Sequence, residues 1–480
     1  MIKQCYWSKL FNCQNLIKHI PKYFCNINNL NSEFSNIQTA PFKMNIGHFE
    51  NFKALFTPEL YKLKEIFKNY NHQLCLAGGP VRDILMGIIP EDLDFATCAT
   101  PFQMKEFFTS ENVRMLNKNG EKHGTITVRI NDKENFEITT LRIDKATDGR
   151  HAEVEFTKNW LLDANRRDLT INSMFLDLEG TLYDFCGGKS DLDERKIVFV
   201  GDAETRIKED YLRILRYFRF YGKISDKEHN HDPKILKILG ENSEGLAQIS
   251  GERLWVELKK ICGGQYVYSL FKIIFDLGIA SYVGLPAAID VDTLQELYRV
   301  CKVTNGLKPN PVTILVSVLT PQDLKILNQR LKLSNSDLAI SGFIIDQRHK
   351  DFNNYNHKKS GQDSPHTNGT LQHANKIFQS RDLKYYIDLM VDSKSPGKTK
   401  EKIIEYLKYS GEKGLLNDFI SAEIPRFPLT GHDLMEMGIP KSPNYANIMQ
   451  ELRNAWKDSK YSLSYQELLQ KLKTYTKASS

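Results

Sequence analysis

The run Leu76-Ala-Gly-Gly-Pro-Val-Arg-Asp83, followed closely by Asp92-Leu-Asp94, constrains the fold more than any other part of the chain. An apolar strand through Leu74 and Leu76 enters a double-glycine turn, Gly78-Gly79. Pro80 then opens a helix, because a first helical turn has no use for the N–H that proline lacks. If Leu93–Ala96 is a strand, alternation puts Asp92 and Asp94 on one face and Leu93 and Phe95 on the other. Two carboxylates so placed suit a hard divalent cation such as Mg²⁺, which takes one or two protein carboxylates and completes its shell with water and phosphate oxygens. The glycines let backbone N–H groups approach those phosphates. An Asp-X-Asp pair alone is most often a solvated strand end, and Gly-Gly alone is a turn. It is the order strand, glycines, helix, carboxylate strand that points to nucleotidyl transfer. The chain has neither the Gly-Lys-Ser/Thr of a P-loop nor the Gly-X-Gly-X-X-Gly of a dinucleotide fold at this place.

A length of 480 residues implies two or more domains. With 41% hydrophobic and 26% charged residues the composition is that of a soluble globular protein. The net charge of +6 permits a polyanionic partner without requiring one. Eight cysteines, with no Cys-X-X-Cys pair and no zinc-type spacing, read as free thiols in a reducing compartment. No apolar run approaches the roughly 20 residues that cross a bilayer, so no membrane partner is expected. Residues 1–32 carry Lys3, Lys9, Lys18 and Lys22 among Tyr6, Trp7, Leu10, Phe11, Leu16 and Ile17, with no acid before Glu33. That pattern is a mitochondrial presequence, departing from the type in having no arginine before Arg82; the alternative is a disordered tail. Met44 could start a shorter cytosolic or nuclear product.

Residues 46–185 carry mixed α/β signals. Thr125–Ile130 and Phe136–Arg142 are alternating, β-branched strands about the polar turn Asn131–Asn135. Asp144–His151 reads as a mobile loop before a strand at Glu153–Phe156, and Asp163–Met174 as a helix with polar chemistry on one side. From about residue 200 helical periods take over. The expected organisation is a targeting or disordered segment (1–45), an α/β head (46–185), a helical neck (186–285), and a helical body and tail (286–480). Residues 353–372, nearly devoid of apolar side chains, are expected to be a disordered loop.

In Arg206–Tyr221, Asp210, Arg213, Arg216 and Arg219 recur every three residues, beside rows of Leu212, Leu215, Phe218 and Ile214, Tyr217. On one helix the polar row spans roughly half a turn of azimuth. Three guanidiniums beside buried-type rows fit a cleft that takes a polyanion. An exposed helix carrying an Asp210–Arg213 pair at i,i+3 explains the same spacing, and the two readings stand level. Arg166-Arg167-Asp168 is less specific by itself. Glu137, on the strand Phe136–Arg142, is a candidate third carboxylate.

Together these segments resemble the tRNA nucleotidyltransferases that add the 3′-terminal CCA, in the class with a polymerase-β-like head, and most of all the animal mitochondrial and cytosolic type. The resemblance rests on Gly78-Gly-Pro-Val-Arg82-Asp83, Asp92-Leu-Asp94, Asp148–Phe156, Arg166-Arg-Asp168-Leu-Thr-Ile-Asn172 and Glu209-Asp210-Tyr-Leu-Arg213 through Phe220. Leu429–Leu434 and Leu452–Trp456 resemble the family's tail, with Ser442 where glycine is expected. The resemblance implies a small mixed sheet with helices, followed by an all-α body and tail. It implies that Asp92 and Asp94 hold two Mg²⁺ ions, that Gly78, Gly79 and Arg82 meet the triphosphate, and that Arg167 with Asp168 binds ribose and phosphates. Asp210 and Arg213 would read the base edge, with Arg216 and Arg219 completing the pocket. The implied partners are CTP, ATP and the acceptor and T arms of tRNA, and no protein partner is evident. A poly(A) polymerase or A-adding enzyme shares the same head.

Overall fold

The computed structural model describes residues 40–116, 118–147, 152–359, 381–436 and 444–478. Eight strands form one sheet: β1 (Phe42–Asn45), β2 (Leu74–Ala77), β3 (Asp94–Thr97), β4 (Arg114–Leu116), β5 (Thr125–Ile130), β6 (Glu134–Thr140), β9 (Phe175–Asp177) and β10 (Thr181–Asp184). Their order is β1-β10-β9-β2-β3-β6-β5-β4. Neighbours pair antiparallel except β3 and β6, which run parallel with Asp94 opposite Glu137. Two further strands, β7 (Arg142–Thr147) and β8 (Ala152–Phe156), pair with each other alone.

Alternation gives the large sheet two unlike faces. Leu74, Leu76, Phe95, Phe136, Ile138 and Leu182 point into the main core, which is closed by the helices Pro58–Asn69 and Pro101–Ser110. Thr57 and Thr100 cap those helices by accepting from backbone N–H groups, and a proline follows each cap. The opposite face is built from the smaller Cys75, Ala77 and Ala96 with Phe175, Leu141 and Ala164. Short side chains there leave room above the strand ends for polar groups.

The local sequence signals place most elements and misplace several ends. β3 begins at Asp94, so Asp92 lies in the bend before it and the two do not share a strand face. The strand expected at Phe136–Arg142 runs Glu134–Thr140, and Arg142 opens β7. Part of the expected loop Asp144–His151 is strand as far as Thr147; residues 148–151 lie outside the described ones. The expected helix Asp163–Met174 is a short helix, Trp160–Asn165, then a 3₁₀ turn, Thr170–Asn172. Leu169 between them bridges to Phe199, a contact that a continuous helix could not make. The head sheet also takes in residues before 46, because β1 pairs Phe42–Asn45 with β10.

Beyond residue 185 the elements among the described residues are helices. One apolar core runs without a break from Ile46 to Phe419, across residues 185 and 285. The helix Asn335–Lys359 carries through the first part of the 353–372 segment; residues 360–380 lie outside the described ones. In the tail, Leu429, Leu434, Leu452, Trp456, Leu468 and Leu472 form a separate cluster, joined to the body by Lys457–Asp392 and Tyr461–Asp388. Ser442 lies outside the described residues.

Candidate active site

The turn between β2 and the helix Gly79–Leu85 needs its glycine. Gly78 has φ +69°, and a Cβ there would meet Arg167 Nη1 at 3.0 Å and the Asn172 carbonyl oxygen at 3.2 Å. Gly79 lies against Arg82, with a built Cβ 3.9 Å from Nη2. Beside this turn the parallel register sets Asp94 and Glu137 next to each other on the open face of the sheet, while Phe95 and Phe136 meet edge to face on the other. Solvent reaches Asp94, yet its carboxyl titrates above the ordinary aspartate range. Partial burial is the main cause, then the negative charges of Glu137 and Asp92, with Arg167 pulling the other way. The carboxylates proposed from sequence, Glu137 included, are therefore electrostatic neighbours.

Opposite them stands a field of arginines whose positions are set by buried acids. Asp163 is 1% exposed; it accepts from Arg166 Nε at 2.8 Å, from Arg167 Nη2 at 3.0 Å and from the Arg142 backbone N–H at 3.1 Å. Burial alone would raise its pKa, and the guanidiniums of Arg167 and Arg166 more than offset this and hold it low. Asp168 follows the same logic: burial opposes ionisation, and Arg216, donating from Nε at 2.7 Å, holds the carboxyl below its usual range. The other Asp168 oxygen accepts from Asn172 Nδ2 at 3.2 Å, and Asn172 Oδ1 accepts from Arg82 Nη1 at 2.6 Å. Arg82 also donates to Asp83, whose carboxylate takes Lys223 Nζ at 3.0 Å.

The Arg206–Tyr221 segment divides in two. One helix, Ala203–Glu209, ends at Asp210, which is extended (φ −153°, ψ 102°), and a second runs Arg213–Ile224. Asp210 Oδ1 accepts from the Leu212 N–H at 3.2 Å, so this aspartate ends one helix and starts the turn into the next. The expected helical row of four polar residues is thus a row of three. The bland i,i+3 pairing is not made: Asp210 takes Arg253 Nη2 at 2.7 Å, and Arg213 binds Glu209 at 2.7 Å and the Arg166 carbonyl at 2.8 Å. Arg216, Arg219 and Phe220 share one face of the second helix. The Phe220 ring carries three guanidiniums, Arg219 at 4.7 Å, Arg82 at 5.1 Å and Arg216 at 5.3 Å from its centroid.

Sequence reasoning missed Asp163, Asn172, Phe220, Arg253 and Glu257, which holds Arg219 at 3.2 Å. Glu257 did leave a signal: a lone acid within the apolar run Leu254, Trp255, Leu258, and it is 4% exposed. Among the described residues no three histidines, cysteines or carboxylates form a metal cage by themselves. A site that relies on substrate and water for its remaining ligands has that donor set. The unfavourable charge on Asp94 is the kind that a bound cation relieves.

Carboxylates on two central strands, a glycine turn and an arginine cleft define a nucleotidyltransferase. The Poly A polymerase head domain matches residues 74–198. The chain is 48% identical over 423 residues to the mouse protein "CCA tRNA nucleotidyltransferase 1, mitochondrial", covering 88% of this chain and 91% of that one, and 49% identical to its human counterpart over the same span. It belongs to the family of CCA tRNA nucleotidyltransferases. The fold resembles the Bacillus stearothermophilus CCA-adding enzyme in complex with CTP (TM-score 0.62, 22% identity, 88% of this chain and 100% of that one). It also resembles the Thermotoga maritima CCA-adding enzyme complexed with tRNA (TM-score 0.59, 17% identity, 90% and 99%).

The raised Asp94 pKa has a direct consequence. A carboxyl that binds its proton more tightly in the folded than in the unfolded state, where the pKa is about 3.9, loses stability as pH rises through that interval. Metal-free protein therefore carries a deficit at neutral pH that Asp94→Asn removes. Thermal unfolding at pH 7 in chelator should show a higher midpoint for the variant, with the gap closing towards pH 4. Equal midpoints at both pH values would rule out the strained carboxylate.

Proposed function

We propose that this enzyme adds the 3′-terminal CCA to tRNA from CTP and ATP without a nucleic-acid template. The observation that carries the reading is the meeting of Asp92, Asp94 and Glu137 with Gly78, Gly79, Arg82 and Arg167 at one end of the sheet, facing the Arg213–Ile224 helix. Nucleotidyl transfer in this family implies a divalent metal. We assign it as Mg²⁺, held by Asp92 and Asp94, where it would neutralise phosphate charge and acidify the attacking 3′-hydroxyl. The protein's own part is positioning and charge neutralisation. The glycine turn admits the triphosphate close to backbone N–H groups, Arg82 and Arg167 bind its oxygens, and Asp168 holds Arg216 beside them. The head, from β1 to residue 185, the neck (186–285) and the body with tail (286–480) act as functional units, the body gripping the acceptor and T arms by shape and backbone because helical RNA hides its base edges.

Base choice falls to Asp210 and Arg213. A carboxylate has about four lone-pair sites, and Leu212 and Arg253 take two at Asp210. The rest can accept from the exocyclic amino group that cytosine and adenine share. Uracil and guanine present a carbonyl there, so acceptor would face acceptor. Repeated adenylation, as by a poly(A) polymerase or A-adding enzyme, rests on the head alone, and primer extension with each NTP separates it from defined CCA by product.

The animal relatives are named mitochondrial, and the protein is assigned to that compartment. We further propose that the acid-poor N-terminal segment is the address and that Met44 starts a cytosolic or nuclear form.

Asp92→Ala or Asp94→Ala should abolish CMP and AMP addition, by at least the ~10²–10³ typical of one preorganised electrostatic group, with tRNA affinity within a few-fold in a filter-binding assay. Near-normal incorporation by either variant excludes the metal assignment. Asp210→Ala should relax discrimination against UTP and GTP by roughly 5- to 150-fold, more than it slows transfer, as expected for a polar base contact of about 1–3 kcal/mol. Full selectivity in that variant moves base reading elsewhere. A reporter behind residues 1–43 should enter mitochondria. Protein begun at Met44 loses only Phe42 and Lys43 of the edge strand β1 and should stay outside them yet remain active; an inactive Met44 product makes the segment structural.

A further inference from the structure

A cavity of about 650 Å³ opens where the helices Gly251–Cys262, Val267–Asp276 and Val291–Thr304 meet. It lies behind the arginine-bearing helix, joined to it where the Gln265 N–H donates to the Gly222 carbonyl at 2.8 Å. Nothing in the catalytic scheme uses it. We propose that this cavity binds a second nucleotide unit, its base stacked on Tyr298 and its phosphate held between Lys302 and Lys308.

Tyr298 is 47% exposed and meets Tyr268 edge to face at 5.1 Å. That contact fixes the ring while leaving a face open, and an open aromatic face beside cations is how proteins hold unpaired bases. Among the described residues neither Lys302 nor Lys308 is paired with a carboxylate, and the amides of Gln265 and Asn305 make no side-chain hydrogen bond within the protein. Two ammoniums match a phosphate, and two amides, each both donor and acceptor, match a base edge. Glu228 also lines the cavity, where its carboxylate accepts from Ser269 Oγ.

The backbone around the cavity is held in an unfavourable shape. Tyr266 (φ +57°) and Lys308 (φ +45°) both lie in the left-handed region, which bulky side chains avoid unless the surrounding structure imposes it. Such residues gather at ligand sites, and here two of them flank one opening. An acidic peptide would satisfy the ammoniums but not the aromatic face, so a nucleotide accounts for more of what lines the cavity. The unit can come from free nucleotide or from the tRNA itself, and the second source rests on the CCA-adding reading.

The test uses the full-length enzyme with Tyr298→Ala, which alters no charge, and Tyr298→Trp, which restores a stacking face. ATP with Mg²⁺ is titrated calorimetrically in the absence of tRNA, and KM is measured for tRNA ending in CC and for ATP. If the cavity takes free nucleotide, wild type and Tyr298→Trp bind two equivalents of ATP and Tyr298→Ala binds one. If it takes a nucleotide of the tRNA, ATP binds once in every protein. The tRNA KM then rises about fivefold or more in Tyr298→Ala, the lower end expected for a lost stacking contact, returns in Tyr298→Trp, and leaves kcat and the ATP KM unchanged. Equal ATP stoichiometry in all three proteins, together with a tRNA KM that shifts less than this or that tryptophan does not recover, overturns the proposal. Single-equivalent ATP binding together with that recoverable tRNA shift separates the RNA source from the free one. Failure of both leaves CCA addition itself untouched.

Discussion

The ion pair between Asp168 and Arg216 is the contact on which the cleft depends. It ties the polar segment after the Trp160–Asn165 helix to the helix Arg213–Ile224. Through Asn172 it reaches Arg82, and through Arg82 and Asp83 it returns to Lys223 on the same helix. A buried pair of this kind adds little net stability over an apolar pair of the same shape, but removing Arg216 costs about 3–5 kcal/mol because Asp168 is left charged and buried. Its contribution is therefore positional. The guanidiniums are held at a set separation before any phosphate arrives, so less side-chain freedom is lost on binding.

Charge in the cleft is sorted by element. Strands β3 and β6 bring Asp94 and Glu137, while the arginines come from the helix Arg213–Ile224 and from the segment just after the Trp160–Asn165 helix, each matched to a buried acid: Arg167 to Asp163, Arg216 to Asp168, Arg219 to Glu257. Arg82 pairs with Asp83, and Phe220 adds an aromatic face that attracts the guanidiniums of Arg82, Arg216 and Arg219 without neutralising them further.

Much of this was legible where the determinants are local. The glycine turn, Pro80 and the strands through Leu76 and Thr125–Ile130 follow from neighbours in sequence. The errors fall where a distant contact decides. Alternation placed Asp92 on β3, but the ladder with β6 starts at Asp94. Periodicity ran one helix through Asp210, whose side chain instead takes the Leu212 N–H and breaks it. The Asp163–Met174 helix is divided because Asp163 turns inward to hold two arginines and Leu169 joins a bridge to Phe199. Roles for Arg82, Arg167 and Arg216 came from the family resemblance, since spacing alone does not say which arginine faces a cleft. Glu257 and Arg253 lie on a helix that no local pattern connects to the site.

The single parallel pairing among the described strands of the large sheet has a consequence for how the enzyme comes into being. Asp94 and Glu137 become neighbours only when β6 has passed β4 and β5 and docked beside β3. Antiparallel hairpins close early over short loops, whereas a parallel crossover has to wait for distant chain, and non-local pairing is the slow part of folding. A chain halfway through synthesis or translocation thus presents its glycine turn and first aspartates without their third acidic neighbour. The acidic end of the cleft is complete only once the head has closed.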